Sequence, residues 1–270
     1  MAEYPFFQVD AFASKPFEGN QACVMPMDAF LEDEVLLAIA AENNVAETAY
    51  IVPVDEDRFK LRWFTPELEV PLCGHATLAS AHVLFEHMGF ERSSIIFETR
   101  KSGELIVSRT ETGYVMDFPA PQVREAEVTD DIVAALGARP LAAYGGPFYA
   151  AVFGTPDQIV ALSPDLKALK TLGAGDHWDR GNFGCIAEGG EGVDVTSRFF
   201  APGSGIDEDP ATGSWHCMVS AVMAARTGKT DLECFQAYPG RGARIGTRLE
   251  GDRVKLAGQA VTVIEGIFRL

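Results

Sequence analysis

Two stretches of this 270-residue chain, residues 76–88 and 214–226, are helical in spacing and small or apolar on nearly every face. A helix without a polar side cannot lie on a surface, so other elements must enclose each of them. The residues leading into them are alike: Phe64-Thr65-Pro66 runs through a short loop to Cys73-Gly74-His75, and Phe200-Ala201-Pro202 runs to Thr212-Gly213-Ser214. From proline to glycine is 8 residues in the first and 11 in the second, the pattern of a duplication with a three-residue insertion. The spacing predicts two similar halves, each built around one helix, with both helix N-termini facing a common cleft.

Strand signals surround both helices. Residues 4–12, 22–25, 48–54 and 58–64 read as strands, and 104–108 with 114–118 as a hairpin, so antiparallel pairing is expected to dominate the first half. The second half offers strands at 148–153, 183–187, 193–200, 233–238, 244–249, 253–257 and 261–268. Helical spacing also marks 31–43, 129–136 and 156–162, with Asn43-Asn44 closing the first of these. The proline-rich stretch 119–124 is the best linker, and the last strand is expected to return to the first half. The expected class is α+β, with domains at 1–118 plus 260–270 and at 119–259.

Charge narrows the partners. With 22 basic and 39 acidic side chains the net charge is −17, and a field of that sign repels nucleic acid and anionic membranes. Five cysteines, none in a C-x-x-C pair, argue against a disulfide framework or zinc knuckle. No apolar run approaches the ~18 residues of a membrane span, and a cytoplasmic location is expected.

An acidic protein that holds a small anion must do so with local donors. Unpaired N–H groups and a partial positive charge make a helix N-terminus suitable, and Gly74 and Gly213 would let a ligand approach the backbone. On the residues alone these glycines read equally well as tight turns. Glu47, set between Val45-Ala46 and Thr48-Ala49, suits proton transfer if partly desolvated. The run Asp207-Glu208-Asp209-Pro210 reads either as charge favoured by the helix dipole or as a device that aims Asp209 at the helix start, with Ser214 as a cap or substrate hydrogen bond. His82 and Glu86 read as a helix pair rather than metal ligands, and His87, His177 and His216 have no evident partner. Dinucleotide, P-loop and nucleophile-elbow motifs are absent.

Taken together, Gln8-Val9-Asp10-Ala11-Phe12, Phe17-Glu18-Gly19-Asn20, Ala46-Glu47-Thr48-Ala49, Cys73-Gly74-His75-Ala76-Thr77-Leu78 and Glu208-Asp209-Pro210-Ala211-Thr212-Gly213-Ser214 closely resemble the PhzF-like isomerase family of phenazine biosynthesis. The resemblance covers essentially the whole chain. It implies the diaminopimelate-epimerase-like fold, two pseudo-symmetric halves each a mostly antiparallel sheet around a central helix, with the active site between them. It implies Glu47 as general acid/base, with His75 and Asp209 as catalytic partners. Asn20, Gly74, Gly213 and Ser214 would bind a small carboxylate-bearing substrate. It further implies a homodimer that needs no metal or organic cofactor.

One departure bears on the reaction. Related epimerases and racemases of this fold use two opposed cysteines, one before each central helix. Here the first position is Cys73 but its counterpart is Thr212, which is not ionised near neutral pH. A one-base shift through Glu47 is therefore favoured over two-base racemisation, with an amino-acid epimerase using Cys73 and a non-catalytic binding protein as alternatives. Substrate identity is expected to rest on loops near Gln8, Asn20, residues 144–149 and Trp215.

Overall fold

The structure, a computed structural model, describes residues 1–173 and 178–270, so His177 lies outside the described residues. In chain order the elements are β1 (Glu3–Ala11), β2 (Asn20–Pro26), α1 (Asp33–Asn43), β3 (Glu47–Pro53), β4 (Arg58–Phe64), β5 (Glu69–Val70), α2 (Gly74–Glu86), β6 (Ser94–Thr99), β7 (Glu104–Thr110) and β8 (Gly113–Pro119). There follow β9 (Arg124–Glu125), α3 (Asp130–Leu136), β10 (Ala142–Gly145), β11 (Tyr149–Phe153), α4 (Pro156–Ala161), α5 (Leu166–Thr171), β12 (Phe183–Glu188) and β13 (Val195–Phe200). A 3-10 turn (Pro202–Ser204), α6 (Gly213–Thr227), β14 (Asp231–Tyr238), β15 (Arg241–Glu250), β16 (Arg253–Gly258) and β17 (Ala260–Arg269) complete the chain. Two compact units result, Met1–Asp117 with Ala257–Leu270, and Phe118–Leu256. Among the described residues no helix is long and apolar enough to cross a membrane.

The fold is α+β. In the first unit β17 pairs antiparallel with β1, and the sheet continues through β2, β3, β4, β6, β7 and β8. In the second, β10 through β15 follow one another in chain order. Strand directions repeat: β1–β2 and β10–β11 are antiparallel, β2–β3 and β11–β12 parallel, β3–β4 and β12–β13 antiparallel. The pairs β4–β6 and β13–β14 are parallel again. Each parallel connection carries a helix, because a parallel partner can be reached only by a crossover.

The central helices are enclosed. Every residue of α2 from His75 to Phe85 is buried, as is α6 around Trp215, Met218, Val219 and Val222. Trp215 packs with Phe199, Val152 and Ile186, which makes it core rather than a specificity residue. Its ring lies over Gly184, where a Cβ would sit 2.2 Å from the indole. Other faces are closed by outer helices: Leu36 and Ile39 of α1 cover Met25, Tyr50 and Phe64, while Ile132, Leu136, Ile159 and Leu169 cover Tyr149, Phe153 and Phe183. Both central helices begin earlier than periodicity predicts, at Gly74 and Gly213, because a first-turn glycine gives up no intrahelical hydrogen bond.

The loop before each central helix is held by one device used twice. Arg62 Nε and Nη2 donate to Glu69 Oε1 and Oε2 at 2.8 and 2.9 Å, and the guanidinium lies 5.0 Å from the Phe64 ring centre. Arg198 Nε and Nη2 donate to Glu208 Oε1 and Oε2 at 2.6 and 2.8 Å, 4.6 Å from the Phe200 ring centre. Arg198 Nη1 also donates to the carbonyl of Leu162 at 2.6 Å, just past α4. In both units the arginine stands two residues before the phenylalanine and the glutamate four before the helix N-cap, so the three extra residues fall between Pro202 and Glu208.

Strands β5, β6, β9 and β10 and helix α5 are not evident from pattern alone. Strand β6 buries only Ile95 and Phe97 and owes its place to parallel pairing with β4; β9 starts at the last residue of the stretch read as a linker.

Removing one partner of a buried pair strands the other charge. Glu208→Ala is expected to lower the unfolding free energy by about 3 kcal/mol, while Asp207→Ala, at an exposed neighbour, stays within about 0.5 kcal/mol; urea unfolding of both variants checks this. Gly184→Ala is expected to cost ~1–3 kcal/mol, read in the same way, since the indole beside it is fully buried.

Candidate active site

Four of the sequence-predicted residues meet in the first unit, each delivered by a local device. Near the end of β1 the Asp10 carboxylate accepts the Phe17 N–H at 2.8 Å, and Gly19 turns the chain at φ +61°. A Cβ on Gly19 would lie 2.0 Å from the Ala11 carbonyl oxygen, so only glycine serves there. This places Asn20 at the start of β2. Helix α1 ends on Asn44 in the left-handed conformation, and Glu47 opens β3 in register with Ala22. Cys73 is the N-cap of α2, and His75 lies in its first turn.

The four groups touch. His75 Nε2 lies 3.0 Å from Glu47 Oε2, and Asn20 Nδ2 lies 3.3 Å from His75 Nδ1. Cys73 Sγ lies 3.5 Å from His75 Nδ1 and 3.9 Å from Nε2. The imidazole faces the carboxylate as a charge and not along a hydrogen bond, so Glu47 Oε2 is buried without a hydrogen-bond partner. The Glu47 side chain keeps 17% exposure, whereas Asn20, Cys73 and His75 are buried.

Burial opposes a charge on His75, yet the Cys73 sulfur and the Glu47 carboxylate beside it hold its pKa well above the ordinary 6.5. Burial, with the Glu47 charge, pushes the Cys73 thiol up to about 11. The thiol is therefore neutral near pH 7, and the carboxyl group that faces the imidazole is that of Glu47. Asn20 matches either state of His75, because its amide can present nitrogen or oxygen to Nδ1.

The predicted residues of the second unit form their own cluster. Thr212 Oγ1 donates to Asp209 Oδ2 at 2.5 Å, and the Thr212 N–H donates to Gln236 Oε1 at 2.9 Å. Gln236 Nε2 returns hydrogen bonds to the Asp209 carbonyl at 2.6 Å and to Thr212 Oγ1 at 3.2 Å. Gln236 is fully buried on β14 and escapes sequence reading, since nothing local separates it from any polar strand residue. Gly213 opens α6 with Thr212 as N-cap, and Ser214 is exposed in the first turn, so Ser214 is not the cap.

The other described histidines, His82, His87 and His216, have partners that the sequence does not disclose. His216 Nδ1 donates to the Thr212 carbonyl at 2.9 Å, and burial lowers its pKa to about 4. His87 Nε2 meets Thr262 Oγ1 at 2.8 Å. His82 contacts Tyr114 Oη and Thr262 Oγ1, while Glu86 pairs with Arg109, so the predicted His82–Glu86 pair is replaced by separate partners across the unit. The large cavity of the first unit, about 930 Å³, is lined by Tyr4, Phe30, Phe59 and Phe90 and includes none of the predicted site residues.

Strand register identifies the second unit's equivalents of the reactive set. Thr48 pairs with Phe64, and Phe183 with Phe200; since Phe64 and Phe200 are equivalent, Glu47 corresponds to Asn182. By the same counting Asn20 corresponds to Gly146, Cys73 to Thr212 and His75 to Ser214. Among the described residues the reactive set occurs once.

The phenazine biosynthesis-like protein family (PhzC-PhzF) matches residues 9–266. The chain belongs to the PhzF-like family. A Pseudomonas aeruginosa relative named an uncharacterized isomerase is 44% identical, with 98% of each chain covered. A PhzF-family crystal structure from Enterococcus faecalis is 35% identical, covers 100% of both chains and superposes with a TM-score of 0.93. A hydroxyproline epimerase from Agrobacterium vitis, 11% identical with a TM-score of 0.59 over 98% of this chain and 92% of its own, shares the fold. For this PhzF-like chain the likeness supports isomerase as the class of activity.

The His75 shift has a definite sign. Its folded value lies above the unfolded one, so its contribution to stability is complete below about pH 6.5 and is lost as pH climbs through the folded value. NMR titration is expected to find His75 still charged at neutral pH and Glu47→Gln to move its titration down. In pH-dependent unfolding, the stability difference between the native chain and His75→Asn should shrink as pH rises through that value.

Proposed function

We propose that this PhzF-like protein catalyses an isomerisation in which Glu47 moves a proton between carbons of a small carboxylate-bearing metabolite. The observation that carries the reading is the buried Glu47 oxygen without a hydrogen bond, held beside a cationic imidazole. A carboxylate with one oxygen buried and set against an imidazole suits a base that must take a proton from carbon. In the step, the C–H bond breaks, its proton passes to Glu47, and the electron pair enters the conjugated system that the substrate carboxylate or carbonyl provides. The proton held by Glu47 exchanges with solvent before Glu47 delivers one to a second carbon. The His75 charge stabilises the anion formed between the two transfers. Electrons and protons balance within the substrate, so the chemistry calls for no redox cofactor.

The role assigned to Asp209, Thr212, Gly213 and Ser214 is binding of the substrate's polar groups, with Gln236 positioning Asp209 and Thr212. Gly74 takes a like role at the start of α2.

Epimerisation through Cys73 is the second reading, because the thiol lies 3.5 Å from His75. Its pKa of about 11 and the neutral residues at the equivalent positions weigh against it, since a two-base reaction needs two ionisable carriers. A non-catalytic binding protein of the same fold would leave substrate hydrogens unexchanged.

Incubation with pools of small carboxylic acids in heavy water is expected to show deuterium uptake at carbon. Glu47→Gln should slow it at least about 100-fold, and Cys73→Ser far less. Uptake unchanged in Glu47→Gln would sink the assignment; uptake abolished by Cys73→Ser would favour the epimerase.

A further inference from the structure

We propose that Glu47, Cys73 and His75 also form a binding site for a thiophilic divalent cation, zinc foremost, and that an ion bound there blocks the reaction. One donor atom from each residue lies within 4.8 Å of the other two. Tetrahedral zinc, with bonds of about 2.0–2.3 Å, spaces its ligands roughly 3.3–3.7 Å apart. His75 Nε2 stands 3.0 Å from Glu47 Oε2 and 3.9 Å from Cys73 Sγ, on either side of that range, so small side-chain rotations complete three edges of the polyhedron. The buried Glu47 Oε2 has no hydrogen bond to give up.

The donor set selects the ion. A thiolate and an imidazole favour zinc and its soft or borderline neighbours, whereas magnesium and calcium require several oxygens. Three protein ligands leave a fourth position for water or substrate. Asn20 supplies the outer contact, because its amide lies against His75 Nδ1 and steadies the ring with Nε2 turned to the ion. All three ligands sit at the ends of regular elements, β3 and α2, rather than on a long loop.

Binding forms three metal–ligand bonds and releases the Cys73 thiol proton and the His75 imidazolium proton to solvent. Glu47 is then engaged by the ion and His75 is no longer a free cation. The equivalents Asn182, Thr212 and Ser214 offer no such set, so one ion per chain is expected. The inhibitory consequence rests on the proton-transfer role proposed for Glu47; the binding does not.

Chelator-stripped full-length protein should take up one cobalt(II) per chain, with a thiolate-to-cobalt charge-transfer band and tetrahedral ligand-field bands, and zinc should displace it. Cys73→Ser should lose the charge-transfer band and weaken zinc binding at least about 100-fold, more than loss of an outer contact costs. Cys217→Ser should change neither. No saturable cobalt or zinc binding by the stripped native chain, or a charge-transfer band that survives Cys73→Ser, overturns the site. Deuterium uptake should fall as zinc fills it and return with chelator; uptake indifferent to an occupied site overturns the inhibition. If the stripped protein shows no uptake at all while the cobalt band appears, the Glu47 mechanism falls and the metal site stands.

Discussion

A guanidinium taken out of water must keep its carboxylate, and this constraint sets the geometry of both halves of the molecule. Arg62 with Glu69 and Arg198 with Glu208 tie the loop ahead of each central helix to the strand that precedes it. Each arginine also lies over the phenylalanine two residues on, so one side chain fixes strand end and loop together. Four residues past the glutamate stands the helix N-cap. The positions of Cys73 and His75 in one unit, and of Thr212 and Ser214 in the other, follow from these clamps.

A duplicated frame leaves room for divergent contents. The clamps, strand directions and helix starts repeat, because a change in any of them would leave a charge or a helix end unsatisfied. Residues at the start of β3 and in the first turn of α2 bear no such load. There the first unit has Glu47 and His75, and the second has Asn182 and Ser214. A carboxylate, an imidazole and a thiol within touching distance differ from an amide and two hydroxyls in what they can do with a proton. The chemical asymmetry therefore arises on a symmetric scaffold.

Much of the scaffold was legible in the residues. The apolar helices, the Phe-x-Pro and glycine signals, Asn44 as a helix stop and most strands could be read directly, since each is a local signal of burial, turn or period. Strands β6 and β10 were not, because their pattern is short and their pairing is supplied by distant neighbours. Among Asp207, Glu208 and Asp209 the sequence shows three equal acids. Folding separates them into an exposed residue, one half of a buried clamp and a hydrogen-bond acceptor for Thr212. Trp215, near which substrate-setting loops were expected, lies in the core over Gly184.

By itself the chain determined its class, its internal repeat and the candidates Glu47, His75, Cys73 and Asn20, because those depend on residue type and on spacing along the chain. Only tertiary structure decided that these four meet, that the Glu47 oxygen is left without a hydrogen bond, and that the Cys73 thiol is neutral while His75 is charged. It also brought in Gln236, which lies 24 residues beyond the Thr212 that it holds. The physical reason is that charge states and hydrogen-bond partners depend on distance and solvent exclusion, and both are set by groups far apart in sequence.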